Sequence, residues 1–261
     1  MIEEVCQSNN LSANLICIGL NVQGLNPSPN SKCGWKIPRL REEIDFLKEQ
    51  KFSIPFIAIV ESWLLPEVND AQIHIDGFNI FRKDRVKRGH GGVLLYVNDK
   101  IVINVSECYD DGECGAVIVL SKISKCVICN VYRPPTATES SFTNLLNFIN
   151  NFINLYNSLN KLHIFIFGDF NLPKFCWDEN SNYKIPPGSS YALFHSFMEE
   201  NFLSQYIKDK TRKNNTLDLF LTNDPTFVQL VKCTDLFISD HLMVKIFYKL
   251  LFIFKLWVKK Q

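Results

Sequence analysis

The distribution of apolar residues along the chain predicts many short strands and few helices. Runs rich in β-branched and aromatic residues, typical of buried strands, occur at Asn14 to Leu20, Phe56 to Val60, Gly91 to Val97, Ala116 to Leu120, Val127 to Val131, Leu162 to Phe167, Leu217 to Thr222 and His241 to Tyr248. Helical spacing of apolar residues predicts helices from Ser141 to Leu159, from Pro38 to about Gln50 and from Ser190 to Asn201. This pattern favours stacked sheets, with the amphipathic helices covering a sheet face.

Polar residues recur where the predicted strands end. Asp169 and Asn171 directly follow one apolar run, Glu61 follows another, and Asn21 follows the first. If Asp169 and Asn171 stay extended, their side chains point to the same side, at the edge where open α/β sheets bind ligands. Each residue alone has an ordinary explanation in a turn or cap. Their joint recurrence at strand ends favours a site.

A histidine and further carboxylates extend this constellation. Asp218 interrupts an otherwise apolar strand, where a carboxylate is costly unless it is paired or coordinated. His241, in Ser239-Asp240-His241, needs a carboxylate to fix its tautomer and stabilise its charged form. Because neighbours in an extended segment point in opposite directions, we expect Asp218 rather than Asp240 to be that partner.

Length and composition are those of one large domain with a sizeable core, since the chain has 261 residues of which 46% are hydrophobic. We place the domain at 13–250, after an N-terminal extension at 1–12 and before a tail, Leu251 to Gln261, of no assignable role. The net charge of +1 excludes a globally basic coat protein, but basic residues are concentrated locally. The clusters are Arg82, Lys83, Arg85, Lys87 and Arg88, and Lys208, Lys210, Arg212 and Lys213. Two interpretations of these clusters stay open: loops that bind phosphates, and hairpin tips that are simply exposed to solvent.

The cysteine content and the hydropathy of the chain predict its cellular location. Nine cysteines is an odd count, and the N-terminus has acidic residues and no apolar signal segment, so we expect no secretion and no disulfide framework. Cys126 and Cys129 lie three apart within one strand-like run, which favours core residues over a metal site. The apolar stretch from Leu242 to Val258 is interrupted by lysines, so we expect no membrane span. An intracellular protein, nuclear or cytoplasmic, is expected.

The order of these motifs resembles the endonuclease/exonuclease/phosphatase superfamily over nearly the whole chain, from about Asn14 to Tyr248. The motifs that carry the resemblance are Asn21-Val22-Gln23-Gly24-Leu25, Glu61-Ser62-Trp63, Gly91-Gly92-Val93, Val131-Tyr132-Arg133-Pro134, Gly168-Asp169-Phe170-Asn171, Leu217-Asp218-Leu219 and Ser239-Asp240-His241. The resemblance implies an α/β fold, a four-layer α/β/β/α sandwich with two stacked mixed β-sheets like that of deoxyribonuclease I. It also implies a metal-dependent phosphodiester hydrolase.

The resemblance implies a role for each residue. Asp169 would orient or deprotonate the attacking water, with Asn171 holding it in line. His241, backed by Asp218, would contact the scissile phosphate, and Tyr132 would donate a hydrogen bond to a phosphate oxygen. A divalent cation, Mg²⁺ with Mn²⁺ as a substitute, would be held by Glu61 with Asn21 and Asp240 near it or its waters. Arg133 and the two basic clusters would bind DNA phosphates.

Three details resemble the endonuclease domain of non-LTR (LINE-type) retrotransposons. They are Leu172-Pro173-Lys174-Phe175-Cys176-Trp177 after the Asp169 motif, Arg133-Pro134-Pro135 after Tyr132, and Thr216-Leu217-Asp218-Leu219-Phe220-Leu221-Thr222-Asn223 around Asp218. This implies a nicking endonuclease acting on double-stranded DNA, alongside a reverse transcriptase encoded elsewhere in the parent element. Two alternatives stay open. One is a phosphodiesterase or phosphatase of lipid or inositol phosphates, and the other is an inactive remnant that only binds nucleic acid.

Overall fold

The computed structural model describes residues 14–25, 32–85, 90–157, 162–177 and 185–248. The 1–12 extension, the tail from Leu251, and Lys87 and Arg88 of the first basic cluster therefore lie outside the described residues. Within this part of the chain, thirteen strands form one sheet of seven and one of six. Each sheet combines parallel and antiparallel neighbours, because β1 runs parallel to β3 in the first and β8 parallel to β9 in the second.

The first sheet, sheet A, has the order β12-β13-β1-β3-β5-β4, and the short β2 pairs with β1. Its strands are β1 (Asn14–Asn21), β2 (Phe52–Ser53), β3 (Phe56–Val60), β4 (Phe78–Lys83), β5 (Val93–Asn98), β12 (Val228–Thr234) and β13 (Met243–Tyr248). Sheet B has the order β10-β11-β9-β8-β7-β6. Its strands are β6 (Val105–Asp110), β7 (Gly115–Ser121), β8 (Cys126–Tyr132), β9 (His163–Asp169), β10 (Ser204–Gln205) and β11 (Asp218–Thr222).

The helices cover the outer faces of the two sheets. They are α1 (Lys36–Glu49), α2 (Asp70–Ile73), α3 (Glu139–Asn157) and α4 (Ser189–Glu200), with a 3-10 turn at Pro225–Phe227. Leu40 and Ile44 of α1 pack on sheet A, while Phe142 of α3 and Phe194 of α4 pack on sheet B. A separate apolar core fills the space between the sheets. The predicted α/β/β/α sandwich is therefore confirmed.

The predicted elements match the interior of each sheet and miss its edges. Every predicted strand has its counterpart, and the predicted helices lie within two residues of α1, α3 and α4. The strands that the sequence pattern misses include all four edge strands, β4, β12, β6 and β10, and the short β2. Among the described residues, no helix is long and apolar enough to cross a membrane.

Asn130 on β8 ties the two sheets together across the core. Its buried side-chain amide donates to the carbonyl of Ile59 at 2.8 Å and to that of Leu94 at 3.0 Å. Ile59 lies on β3 and Leu94 on β5, so one side chain of sheet B satisfies two carbonyls of sheet A. These bonds fix how the sheets are stacked near the ends of β3 and β8, where Glu61 and Tyr132 lie.

We expect Asn130→Ala to destabilise the fold. Two buried carbonyls would lose their added donor, so the free energy of unfolding should fall by roughly 2–4 kcal/mol. Urea unfolding of the variant measures this loss. Asn79→Ala, which removes an exposed asparagine from β4, is the matched control and should change stability by less than about 0.5 kcal/mol. Equal stability of the two variants would contradict the proposed tie.

Candidate active site

The polar residues predicted at strand ends converge at one end of the two stacked sheets. Asn21 lies at the end of β1, and Glu61 directly follows β3. On sheet B, Asp169 ends β9 and lies directly opposite Asp218, the first residue of antiparallel β11. The side-chain amide nitrogen of Asn21 joins the two sheets, since it donates to Glu61 Oε1 at 3.0 Å and to Asp169 Oδ2 at 2.9 Å.

His241 completes the cluster and contacts Asp218 as the sequence predicts. Its Nδ1 lies 2.7 Å from Asp218 Oδ2, and both side chains are fully buried. A carboxylate can only accept, so this contact places a proton on Nδ1 and directs Nε2 toward Asp169 Oδ2, 4.0 Å away. Within the described residues, Nε2 has no hydrogen-bond partner. It is therefore a buried nitrogen with unused hydrogen-bonding capacity, 4.0 Å from Asp169 Oδ2 and 3.8 Å from Asp240 Oδ1.

Burial and mutual charge shift the ionisation of the cluster. Burial raises the pKa of Asp169 to about 7, and the Asp218 charge adds to this while His241 and Asn21 oppose it. Burial lowers the pKa of His241, but its hydrogen bond to Asp218 and the charges of Asp218 and Asp169 outweigh burial and raise the pKa overall. Burial, with the charges of Glu61 and Asp169, raises the pKa of Tyr132. Tyr132 is therefore a neutral donor at physiological pH, and Asp169 can gain or lose a proton.

Gly168 is required by the close contact between β9 and β8. A Cβ atom at this position would lie 2.1 Å from the carbonyl oxygen of Val131, so no other residue fits without moving the strand. The glycine thus brings Asp169 beside Tyr132, its register partner on β8.

Asn171 departs from the predicted extended geometry. Its φ of +48° is left-handed, because its backbone N–H turns back to Asp169 Oδ1 at 3.1 Å. The expectation that Asp169 and Asn171 point the same way along an extended strand is therefore wrong. The Asn171 side-chain amide nitrogen donates instead to the carbonyl of Arg133 at 2.8 Å, which keeps the residue in the site by a different route.

Arg133 faces the protein interior, unlike the predicted phosphate-binding residue. Its guanidinium is buried, donates to the carbonyls of Phe170 and Asn171 at 3.2 and 3.1 Å, and lies 4.7 Å from the centre of the Phe142 ring. Because its Nη1 makes both of these hydrogen bonds, Arg133 supports the Asp169–Asn171 turn.

The first basic cluster is divided by its contacts. Arg82 forms ion pairs with Asp70 at 3.3 Å and Asp84 at 3.2 Å, so acidic groups already neutralise it. Arg85 lies 6.0 Å from the centre of the Tyr132 ring and donates to the carbonyl of Glu113. Lys83 is partly buried on β4. Of the described members, Arg85 is therefore the one that reaches the site.

The second basic cluster lies on the connection between β10 and β11 and is attached to the site. The Thr211 hydroxyl accepts from the backbone N–H groups of Leu217 and Asp218, while its carbonyl accepts from Leu242. Arg212 binds Asp240 at 2.8 Å. The side chains of this cluster that are exposed to solvent are Lys208, Lys210 and Lys213.

Asp240 is therefore an ion-pair partner of Arg212 rather than a free ligand. Its other oxygen lies 3.8 Å from His241 Nε2, so it stays at the margin of the cluster. Its side chain is 42% exposed, whereas those of Asp169 and His241 are buried. Both Arg212 contacts use Asp240 Oδ2, so Oδ1 is the oxygen that faces the cluster.

Several supporting contacts around the site are not predicted by the sequence analysis. The Trp63 indole N–H donates to Glu61 Oε2 at 3.2 Å. The buried Lys36 ammonium donates to the carbonyls of Val22 and Gln23 at 2.6 and 2.9 Å, and burial lowers its pKa. Both residues hold the loops that present Asn21 and Glu61. Gln23, Glu61, Trp63 and Asn171 all have φ near +50°, the kind of strain that collects at functional sites.

The donors present suit a hard divalent cation. Asp169, Asp218 and His241 each offer an atom within 4.8 Å of the others, but a metal among them would displace the His241–Asp218 hydrogen bond. Glu61 offers the better position, because its carboxylate accepts from Asn21 and Trp63 through different oxygens and from the Tyr132 hydroxyl. A carboxylate has about four lone-pair sites, so one stays for a ligand.

Residues 126–245 match the family model described as endonuclease-reverse transcriptase. An endonuclease/exonuclease/phosphatase family protein from Bacteroides thetaiotaomicron has a similar structure, with a TM-score of 0.59 and 12% identity over 90% of this chain and 95% of that chain. These matches confirm the resemblance to the endonuclease/exonuclease/phosphatase superfamily.

Two further solved structures with this fold are described as proteins that act on or derive from nucleic-acid systems. The 3′ phosphatase NExo from Neisseria, bound to a product DNA hairpin, has a TM-score of 0.64 and 14% identity, over 90% of this chain and 99% of that chain. The endonuclease domain of TRAS1, a telomere-specific non-LTR retrotransposon, has a TM-score of 0.58 and 12% identity with the same coverage. At these identities the likeness concerns the fold. No curated protein matches the chain.

Proposed function

We propose that this chain is a divalent-metal-dependent endonuclease that nicks double-stranded DNA, of the kind used in non-LTR retrotransposition. The observation that carries the proposal is the buried His241 imidazole, which is held through Nδ1 by Asp218 and directs Nε2 toward Asp169. An imidazole whose pKa is raised by Asp218, beside a carboxyl group whose pKa is raised to about 7, is suited to bind a phosphodiester and activate water.

Each residue of the site has a defined part in this proposal. Asp169 accepts a proton from the attacking water or orients it. Asn171 positions that water through its amide oxygen, because its amide nitrogen donates to the carbonyl of Arg133. Tyr132 and His241 donate to phosphate oxygens. Asn21 keeps Glu61 and Asp169 at a fixed separation.

Glu61 and Asn21 would hold the metal, for which Mg²⁺ is the natural choice because it takes few carboxylates and keeps several waters. When bound, the cation supplies positive charge to a phosphate that becomes five-coordinate. Asp240 would contribute through a water from its position beside Arg212.

DNA is favoured over lipid headgroups by the charge next to the site. The exposed Lys208, Lys210 and Lys213 lie on the connection that also holds Asp218 through Thr211, so they would contact phosphates flanking the cut. The family model described as endonuclease-reverse transcriptase supports the same choice, as well as a reverse transcriptase partner.

A substrate panel tests the proposal. The purified chain would be incubated with supercoiled plasmid, sphingomyelin vesicles and inositol phosphates, each in Mg²⁺ and in EDTA. We expect plasmid nicking in Mg²⁺ alone. Release of phosphate or headgroup with the plasmid intact would assign a phosphatase or phosphodiesterase instead. Plasmid that is bound but never cut would identify an inactive nucleic-acid-binding protein.

We expect Trp63→Phe to weaken metal binding while leaving the hydrolytic residues in place. Phenylalanine keeps the ring but loses the N–H that fixes Glu61 Oε2, and loss of such a supporting bond typically costs about 10–100-fold in metal affinity. The Mg²⁺ concentration for half-maximal nicking measures the effect. Trp35→Phe, in which the lost indole N–H bonds Lys32 on the surface, is the control. An unchanged Mg²⁺ requirement for Trp63→Phe would refute this role.

A further inference from the structure

Phe237 is an exposed aromatic residue in a strained backbone conformation, four residues before His241 in the chain. Its side chain is 78% exposed, and its φ of +60° is left-handed, which is a genuine outlier for a bulky residue. The Asp235 side chain holds this conformation by accepting from the Phe237 backbone N–H at 2.7 Å. The chain therefore keeps a large apolar side chain in water at a cost in backbone strain.

The loop that carries Phe237 also carries His241. It joins β12 to β13, and the Ser239 hydroxyl fastens it to the carbonyl of Asn21 at 2.6 Å. Leu236 and Ile238, on either side of Phe237, are buried in the core cluster that includes Val22. These anchors fix the loop against the segment that follows Asn21, and leave the Phe237 ring facing outward.

The backbone of Phe237 lies close to that of His241, because both residues belong to one short loop. Phe237 precedes His241 by four residues, so their Cα atoms are separated by at most about 14 Å. Along one strand of DNA the bases are about 3.4 Å apart. A base within about four steps of the cut phosphate would therefore be close to the Phe237 ring.

We propose that Phe237 stacks on, or wedges beside, a base of the bound DNA and so positions the strand for cleavage, an inference that rests on the proposed function. A single exposed ring suits a base, because every base presents a flat apolar face. A membrane surface would need more apolar area, and the neighbouring Leu236 and Ile238 are buried. The exposed lysines between β10 and β11 would supply phosphate contacts near the same loop, because Arg212 of that connection binds Asp240.

Phe202 provides a matched control. It is 84% exposed and has a φ of +53°. Its left-handed conformation is that of a residue just after the end of a helix, α4. The strand that follows it, β10, pairs with Leu221 and Thr222, at the end of β11 away from Asp218. Phe202→Ala therefore removes a similar ring at the opposite end of the sheet.

The test measures binding of a duplex oligonucleotide in EDTA and nicking of the same duplex in Mg²⁺. We expect Phe237→Ala to weaken DNA binding by about 5- to 100-fold, with Phe237→Trp close to wild type and Phe202→Ala unchanged. The salt dependence separates the contributions. Phe237→Ala should leave the slope of log affinity against log salt unchanged, whereas Lys210→Ala should reduce it by about 0.9.

The outcomes distinguish this inference from the function on which it rests. Phe237→Ala that binds and nicks DNA like the wild type would overturn the stacking role and leave the nuclease assignment intact. Loss of binding to phosphatidylcholine vesicles, with DNA affinity unchanged, would also overturn it in favour of a membrane contact. A wild-type chain that neither binds nor nicks DNA would overturn both.

Discussion

His241→Ala is expected to lower the rate of DNA nicking by about 10²–10⁴-fold, the range associated with a positioned acid or base. The imidazole is held by Asp218 through Nδ1, and its Nε2 has no hydrogen-bond partner among the described residues. Alanine leaves no donor at the position of the phosphate. Initial rates of conversion of supercoiled plasmid to nicked circle measure the loss.

Further variants show whether the slower nicking comes from lost catalysis or from lost stability. His241→Ala leaves the Asp218 carboxylate buried and unpaired, which can cost about 3–5 kcal/mol of stability, so Asp218→Asn and the double variant are measured with it. If the pair acts as a unit, the double variant should be no slower than His241→Ala. His74→Ala, which removes an exposed histidine 3.4 Å from Asp76, should nick normally. Independent, multiplicative losses would argue against a coupled His241–Asp218 pair.

Asp169→Asn is expected to lower the nicking rate by a comparable factor, about 10²–10⁴-fold. The amide cannot accept a proton from water. In the wild type, both Asp169 oxygens accept hydrogen bonds, one from Asn21 and one from the Asn171 backbone. The amide nitrogen introduced by Asp169→Asn must therefore face one of these two N–H donors, which it cannot bond. Nicking rates at saturating Mg²⁺ measure the effect.

The stability of Asp169→Asn separates catalysis from folding. The carboxyl has a pKa raised to about 7 by burial and by Asp218, so its ionised form is unfavourable in the folded protein. Replacing the carboxylate with a neutral amide removes a buried charge, and this gain offsets the cost of the mismatched hydrogen bond. We therefore expect a folded protein with a cooperative thermal transition. A variant that is folded and still nicks at the wild-type rate would remove Asp169 from the mechanism.

The sequence predicts the interior of the fold better than its edges for a physical reason. Interior strands such as β8 and β9 are buried on both faces and therefore read as continuous apolar runs. Edge strands such as β6, Val105–Asp110, and β12, Val228–Thr234, are half-exposed and mix polar with apolar residues. These edge strands form because a neighbouring strand offers hydrogen bonds to their backbone. That partner is distant in the sequence, so the local pattern of apolar residues does not predict them.

The site shows the same division. Asn21, Glu61, Asp169, Asp218 and His241 follow or interrupt apolar strands, and this placement is visible in the sequence. The turn at Asn171 and the inward direction of Arg133 depend on contacts between β8 and the segment after β9. Those contacts join residues nearly forty positions apart, and strand periodicity cannot predict them.

The central claim, that this cluster hydrolyses phosphodiesters of DNA, is tested most directly by one comparison. Supercoiled plasmid is incubated in Mg²⁺ with wild type, Asp169→Asn and Asp99→Asn, the last an exposed aspartate just beyond the far end of β5. We predict nicked circles with wild type and Asp99→Asn at equal rates, and intact plasmid with Asp169→Asn and with wild type in EDTA. Equal nicking by Asp169→Asn and the wild type, or nicking that persists in EDTA, would contradict the account.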